Sequence, residues 1–239
     1  MAILEVKGLT RRFGGLVAVN NFDFSVEQGE ILAVIGPNGA GKSTAFGLVS
    51  GFLKPDAGRV NFEGRDITGL APHRIVERGL ARSFQIVEIF ADMTVVDAVT
   101  AAALLRLPLR QAVDRANEIL VRVGLASKHD ENPGNLSLQD RKLLELAKCL
   151  ATDPKLILLD EVMAGLTLAE AEVPVGIIRE LRATGITFVL VEHVMPIVMK
   201  TADRIVVLNF GEKVAEGTPA EIVANQAVRD AYFGEELDA

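Results

Sequence analysis

The run Gly36-Pro37-Asn38-Gly39-Ala40-Gly41-Lys42-Ser43-Thr44 has the spacing G-x-x-x-x-G-K-[ST], and each residue type in it suits the holding of a polyphosphate. Glycines let backbone N–H groups come close to phosphate oxygens, and a helix starting behind the loop aims the positive end of its dipole at them. Lys42 is long enough to reach β- and γ-phosphates, and the Ser43 hydroxyl can ligate Mg²⁺. A second reactive group is Leu156-Ile157-Leu158-Leu159-Asp160-Glu161, an apolar run that ends in two carboxylates. Asp160 can face the same Mg²⁺ through water, and Glu161 can polarise an attacking water as general base. Taken alone, such a pair is more often a helix cap or a solvated sheet edge. Together with the phosphate-binding loop it points to hydrolysis of a nucleoside triphosphate.

Positioning these groups requires a particular set of elements. Ile31 to Ile35, directly before the loop, is an unbroken apolar run of the kind found in strands buried on both faces of a parallel sheet. Similar runs at Leu156–Leu159, Ile186–Val191 and Ile205–Leu208 are bounded by turn residues such as Asp153-Pro154 and Gly185. Helical periodicity over Leu168–Arg182 and Val194–Lys200 separates them. Asn20–Glu27 alternates as a half-buried strand, and Ile3–Leu9 and Arg59–Phe62 read as strands of an antiparallel sheet with a turn at Pro55-Asp56-Ala57-Gly58. From about Val87 to Leu150 the spacing is helical: Val95, Val99 and Ala103 share a face, as do Val113, Ala116, Leu120 and Val123. The expected fold is therefore α/β, a P-loop NTPase core with a mostly parallel sheet, an N-terminal antiparallel β subdomain and an inserted helical subdomain.

Composition narrows the function classes. With 239 residues, 49% of them hydrophobic, and a net charge of −7, the chain can build a large core and is not intrinsically disordered. No apolar stretch reaches the roughly 18 residues that a spanning helix needs. Met1–Lys7 lacks the features of a signal peptide, so a cytosolic protein is expected. The acidic balance speaks against a nucleic-acid partner. Cys149 stands alone, which excludes an internal disulfide or a multi-cysteine zinc site and suits a buried apolar position.

From Ile3 to the C-terminus the sequence resembles the nucleotide-binding subunit of ABC transporters, one domain over 1–239 with the helical insertion at about 87–150 and a C-terminal strand and helical tail at about 210–239. The resemblance implies ATP and Mg²⁺ as ligands and carries further roles residue by residue. Phe13, in Arg12-Phe13-Gly14-Gly15-Leu16, sits where an aromatic stacks on adenine. Gln85, in Arg82-Ser83-Phe84-Gln85, matches a glutamine that senses Mg²⁺ and the membrane subunit. His193 matches a switch histidine that holds the γ-phosphate, and Ser137 lies in the signature segment. Within the family, Phe13 to Leu16, Arg82 to Gln85 with Phe90, Met93-Thr94-Val95, and the tail from Gly217-Thr218-Pro219 through Ala231 to Glu235 are most similar to the branched-chain amino acid importers. That likeness implies membrane permeases, a second ATPase subunit identical or related to this one, an indirect link to a periplasmic binding protein, and a peripheral place on the cytoplasmic face of the inner membrane.

Three departures from the family pattern stand out. The signature, close to Leu-Ser-Gly-Gly-Gln in the family, is Leu136-Ser137-Leu138-Gln139-Asp140 here. The residue after Glu161, usually proline, is Val162, and the usual aspartate of the following loop is Thr167. Ser137 with Asp140 also reads as a helix cap. The altered signature leaves room for an ATP-dependent clamp that does not hydrolyse, against which Glu161 and His193 argue. Urea or amide import and lipopolysaccharide export fit the same resemblance. A soluble non-transport ABC ATPase fits less well, because the coiled coils, zinc cysteine pairs or second ATPase domain of those proteins have no place in this sequence.

Overall fold

The computed structural model describes residues 2–84 and 93–229. Strands β1 (Ala2–Phe13) and β2 (Leu16–Glu27) form a long antiparallel hairpin, and β3 (Ile31–Ile35) leads into helix α1 (Lys42–Val49). Next come β4 (Ala57–Phe62), β5 (Arg65–Asp66), α2 (Pro72–Glu77) and β6 (Leu80–Arg82). Helices α3 (Val95–Ala103), α4 (Leu109–Arg122) and α5 (Leu138–Ala151) follow without an intervening strand. The chain then alternates through β7 (Leu156–Asp160), α6 (Leu168–Ala183), β8 (Thr187–Val191), α7 (Met195–Thr201) and β9 (Arg204–Asn209) before β10 (Glu212–Gly217) and α8 (Pro219–Ala224).

Two sheets result. One is antiparallel with order β2-β1-β4-β5, and the other has six strands in the order β10-β9-β3-β8-β7-β6. In the six-stranded sheet all neighbours run parallel except β10, which returns antiparallel to β9. The apolar runs explain this arrangement. Ile31, Ala33 and Ile35 face one core layer with Ile157, Leu159, Phe188 and Leu190, packed on α3 to α6. Leu32 and Val34 face the other with Leu156, Leu158, Val189 and Val191, packed on α1 and the antiparallel sheet. A strand with both faces covered has no use for a polar residue until it leaves the sheet, which is why Asp160 appears only at the end of β7.

The expected fold class is thus the observed one, and its differences are local. β1 continues to Phe13, and β4 begins at Ala57, inside the stretch expected as a turn. Asp56 N–H donates to the Thr10 carbonyl, so pairing with β1 takes over before the turn residues end. The helical region is stapled at its start by Thr94, whose hydroxyl accepts from Asp97 N–H while the Asp97 carboxylate accepts from Thr94 N–H, a box worth about 1 kcal/mol. Cys149 is buried as expected, and burial pushes its thiol up to about 12. Gln85, Phe90 and the tail from Ala231 to Glu235 lie outside the described residues.

Candidate functional site

The loop between β3 and α1 is pressed between two strands. At Gly36 (φ 154°) a side chain would put its first carbon 2.0 Å from the Leu208 carbonyl oxygen of β9, and at Gly41 (φ 105°) 2.3 Å from the Ala18 carbonyl oxygen of β2. Any other residue at either place would push the loop off its supports. No side chain caps the α1 N-terminus, so the backbone donors and dipole of that end are left to an anion.

Lys42 is buried, with Nζ donating to the carbonyls of Gly36 at 2.7 Å and Pro37 at 3.0 Å. Burial lowers its pKa, and the negative charges of Glu161 and Asp160 push it back up. Around Lys42 lies a cavity of about 380 Å³, lined by Phe13, Leu16, Val17 and Ala18, by Asn38 to Thr44, and by Glu161 and Phe210. That volume suits a nucleotide-sized ligand. A larger cavity of about 600 Å³ beside Gln28, Arg122 and Lys155 contains none of these groups, and four of its charged side chains pair, Lys155 with Glu63 and Arg115 with Glu118.

Asp160 ends β7 in a buried position, where Oδ2 accepts from Arg82 Nη2 at 2.8 Å and its N–H donates to Ser83 Oγ at 3.0 Å. Its Oδ1 is buried without a hydrogen-bond partner among the described residues. A buried carboxylate oxygen with no donor, near a loop carrying the exposed Ser43 hydroxyl, is chemically fitted to a hard cation. No cluster of three or more His, Cys, Asp or Glu side chains suited to a metal occurs among the described residues. A divalent ion here would therefore draw on one carboxylate, a hydroxyl and phosphate oxygens, the usual manner of Mg²⁺. Glu161 follows in a left-handed backbone conformation (φ 50°). Its N–H donates to the Val191 carbonyl, and its carbonyl accepts from Lys142 Nζ. These bonds hold a strained residue on the cavity wall, as is common where chemistry fixes the geometry.

Of the residues picked from sequence, the structure gathers Phe13, Asn38 to Thr44 and Glu161 around one cavity, with Gly36 and Pro37 holding Lys42 and Asp160 close to it. Phe13 is half-exposed, and the Arg11 guanidinium stands 4.9 Å from its ring centre. Ser137 and His193 do not wall that cavity. His193 is exposed just past β8, while its buried neighbour Glu192 accepts from Met163 N–H. Ser137 caps α5: its Oγ accepts from Asp140 N–H and donates to the Asp140 carboxylate, which Lys128 also holds. The two residues standing at the signature glycines are engaged inside the chain, Gln139 with the Glu170 carbonyl and Leu138 beside Gly165. Sequence reading missed Arg82, Lys142 and Phe210 as parts of the site. Arg82 and Asp160 are 78 positions apart, and only the adjacency of β6 and β7 joins them.

The comparisons agree with this geometry. Residues 19–164 match the family described as ABC transporter, and residues 212–238 match the family described as branched-chain amino acid ATP-binding cassette transporter. The chain is 39% identical over 250 residues to the high-affinity branched-chain amino acid transport ATP-binding protein BraF of Pseudomonas aeruginosa, covering 98% of both chains. It is 40% identical to the corresponding LivG protein of Salmonella typhimurium, again with 98% of both covered. A crystal structure of a nucleotide-free ATP-binding cassette from an ABC transporter superposes with a TM-score of 0.91 at 32% identity, covering 98% of this chain and 100% of that one. A cassette in its ADP conformation gives 0.90 at 32% identity with the same coverage. The chain belongs to the ABC transporter ATP-binding family. It is an ATP-binding, ATP-hydrolysing subunit that powers transport, and no helix among the described residues is long and apolar enough to cross a membrane.

Proposed function

We propose that this chain is the ATPase subunit of an importer for branched-chain or other small amino acids. The match of residues 212–238 to the branched-chain cassette family carries the reading. In it, Phe13 stacks on adenine, the backbone of Gly36 to Thr44 and the Lys42 ammonium hold the phosphates, and Ser43, Asp160 and Gln85 hold Mg²⁺. When bound, Mg²⁺ neutralises charge on the β- and γ-phosphates. Glu161 takes a proton from the attacking water, His193 steadies the γ-phosphate, and Ser137 completes the site of a second ATPase subunit, identical or related. The chain sits on the cytoplasmic face of the inner membrane through its permeases, which receive cargo from a periplasmic binding protein.

The test is to co-purify the chain with its permeases from native membranes, reconstitute the complex in proteoliposomes, and add a binding protein loaded with leucine, urea or no ligand. ATP hydrolysis and leucine uptake should rise together with the leucine-loaded protein. Stimulation by the urea-loaded protein instead would overturn the cargo assignment.

A further inference from the structure

Phe210 is in a strained position that nothing among the described residues explains. Asn209 and Glu212 pair across the β9–β10 hairpin, leaving Phe210 and Gly211 as a two-residue loop with φ values of 46° and 80°. Positive φ at both loop positions marks a type I′ turn, whose first position favours asparagine or glycine. A bulky aromatic is an outlier in that backbone conformation. The ring is also 85% exposed, and among the described residues no other ring or cation packs on it. A strained backbone and a hydrated aromatic ring are two costs, and local rules broken in this way are expected where function compensates.

The hairpin tip is tied to the nucleotide site. Gly211 N–H donates to the Ala40 carbonyl of the phosphate loop at 2.9 Å, and Asn20 N–H donates to the Gly211 carbonyl at 2.8 Å. Phe210 walls the same cavity as Phe13, Leu16, Val17 and Ala18, all of them apolar side chains. From this geometry we infer that Phe210 is a second nucleobase-contacting residue, adding an apolar wall to the ATP site beside that of Phe13. The inference rests on ATP binding in that cavity and adds to it a binding residue held in place by the hairpin.

The strain makes the test decisive, because stability and binding should move in opposite directions. Phe210→Gly and Phe210→Asn suit the turn better, so their melting temperature should equal or exceed that of the parent chain. Affinity for ATP, measured on the full chain by displacement of a fluorescent ATP analogue, should weaken about three- to tenfold, the range expected for one lost aromatic contact. Inorganic tripolyphosphate, which has no base, should bind the variants as it binds the parent, and Phe210→Trp should retain ATP affinity. Unchanged ATP affinity in Phe210→Gly, or equal weakening toward ATP and tripolyphosphate, overturns the base contact. A lower melting temperature in Phe210→Gly overturns it as well, since the ring would then serve the fold. A parent chain that binds neither ligand refutes the ATP site itself, a result distinct from all of these.

Discussion

Replacing Arg82 with methionine removes a charge while keeping most of the side-chain volume, and the consequence follows from what Asp160 loses. The two side chains are 12% and 5% exposed and meet at 2.8 Å. Asp160 Oδ1 already lacks a partner among the described residues, so Arg82→Met takes the donor from Oδ2 and leaves a buried carboxylate without its ion-pair partner, with only the more distant influence of Lys42 to offset it. Breaking a buried pair from one side costs about 3–5 kcal/mol. Losing the guanidinium from its place near the rings of Phe46, Phe52 and Phe84, at 5.5 to 5.9 Å, adds roughly 0.5 kcal/mol or more. For a chain of this size, about 2–4 °C per kcal/mol turns the pair term into a fall of roughly 6–20 °C in Tm. Urea and thermal unfolding followed by circular dichroism measure it, with two controls. Arg82→Met combined with Asp160→Asn should recover much of the loss, because the stranded charge is gone. Saturating ATP with Mg²⁺ should narrow the gap between parent and Arg82→Met more than ATP with EDTA does, because the cation gives Asp160 a new counter-charge. A loss under 1 kcal/mol, or a double variant less stable than Arg82→Met alone, would refute the reasoning.

The remaining predictions concern the site's other unusual groups. Glu161→Gln should cut hydrolysis in the assembled complex by about 10²–10⁴ with Tm unchanged, since Glu161 is anchored through its backbone; phosphate release at the parental rate would assign the base elsewhere. Glu192 is raised to about 7, chiefly by burial, with Glu161 adding to the rise and Lys142 opposing it. The folded chain therefore holds a proton that the unfolded chain gives up, and stability falls as pH climbs from about 4.5 to 7, by an amount on the order of 3 kcal/mol. Glu192→Gln should flatten urea midpoints across pH 5 to 8 and raise the value at pH 8, and a parental slope in the variant would show that another group titrates. Leu138→Gly with Gln139→Gly should speed ATP hydrolysis by the isolated chain by clearing side chains from both signature positions. A parent that is already brisk and a variant no faster would make the altered signature a harmless variation.

What the sequence revealed, and what it hid, divides along physical lines. Ile31–Ile35 and the run before Asp160 were legible because a strand buried on both faces leaves an uninterrupted apolar stretch. The phosphate loop was legible because its glycines and lysine have fixed local spacing. Phe13 was placed by its neighbours in sequence, and it does wall the cavity. Arg82 was quoted for its likeness to relatives, yet its bond to Asp160 depends on which strands are adjacent, a long-range fact that no local pattern carries. Phe210 was hidden for a related reason, since strain lives in φ rather than in composition. The start of β4 was set two residues too late because pairing with β1 overrode turn chemistry at Ala57 and Gly58.

The arrangement of charge bears directly on how this site binds. Lys42 is satisfied by two carbonyls of its own loop, and Asp160 by Arg82. In the proposed function a polyphosphate would therefore enter by exchange at Lys42, neutral carbonyls giving way to anionic oxygens, whereas its cation would add to Asp160 Oδ1, which has no partner among the described residues. The ammonium's bonds to carbonyls are already charge-assisted, and what phosphate oxygens would add is a full opposite charge in a partly desolvated site, while the preset bonds keep each group oriented before binding. The same exchange makes affinity depend on residues that touch no ligand. Arg82, which also donates to Ser50 Oγ and lies near the rings of Phe46, Phe52 and Phe84, holds Asp160 by Oδ2 and so leaves Oδ1 as the oxygen open to a cation.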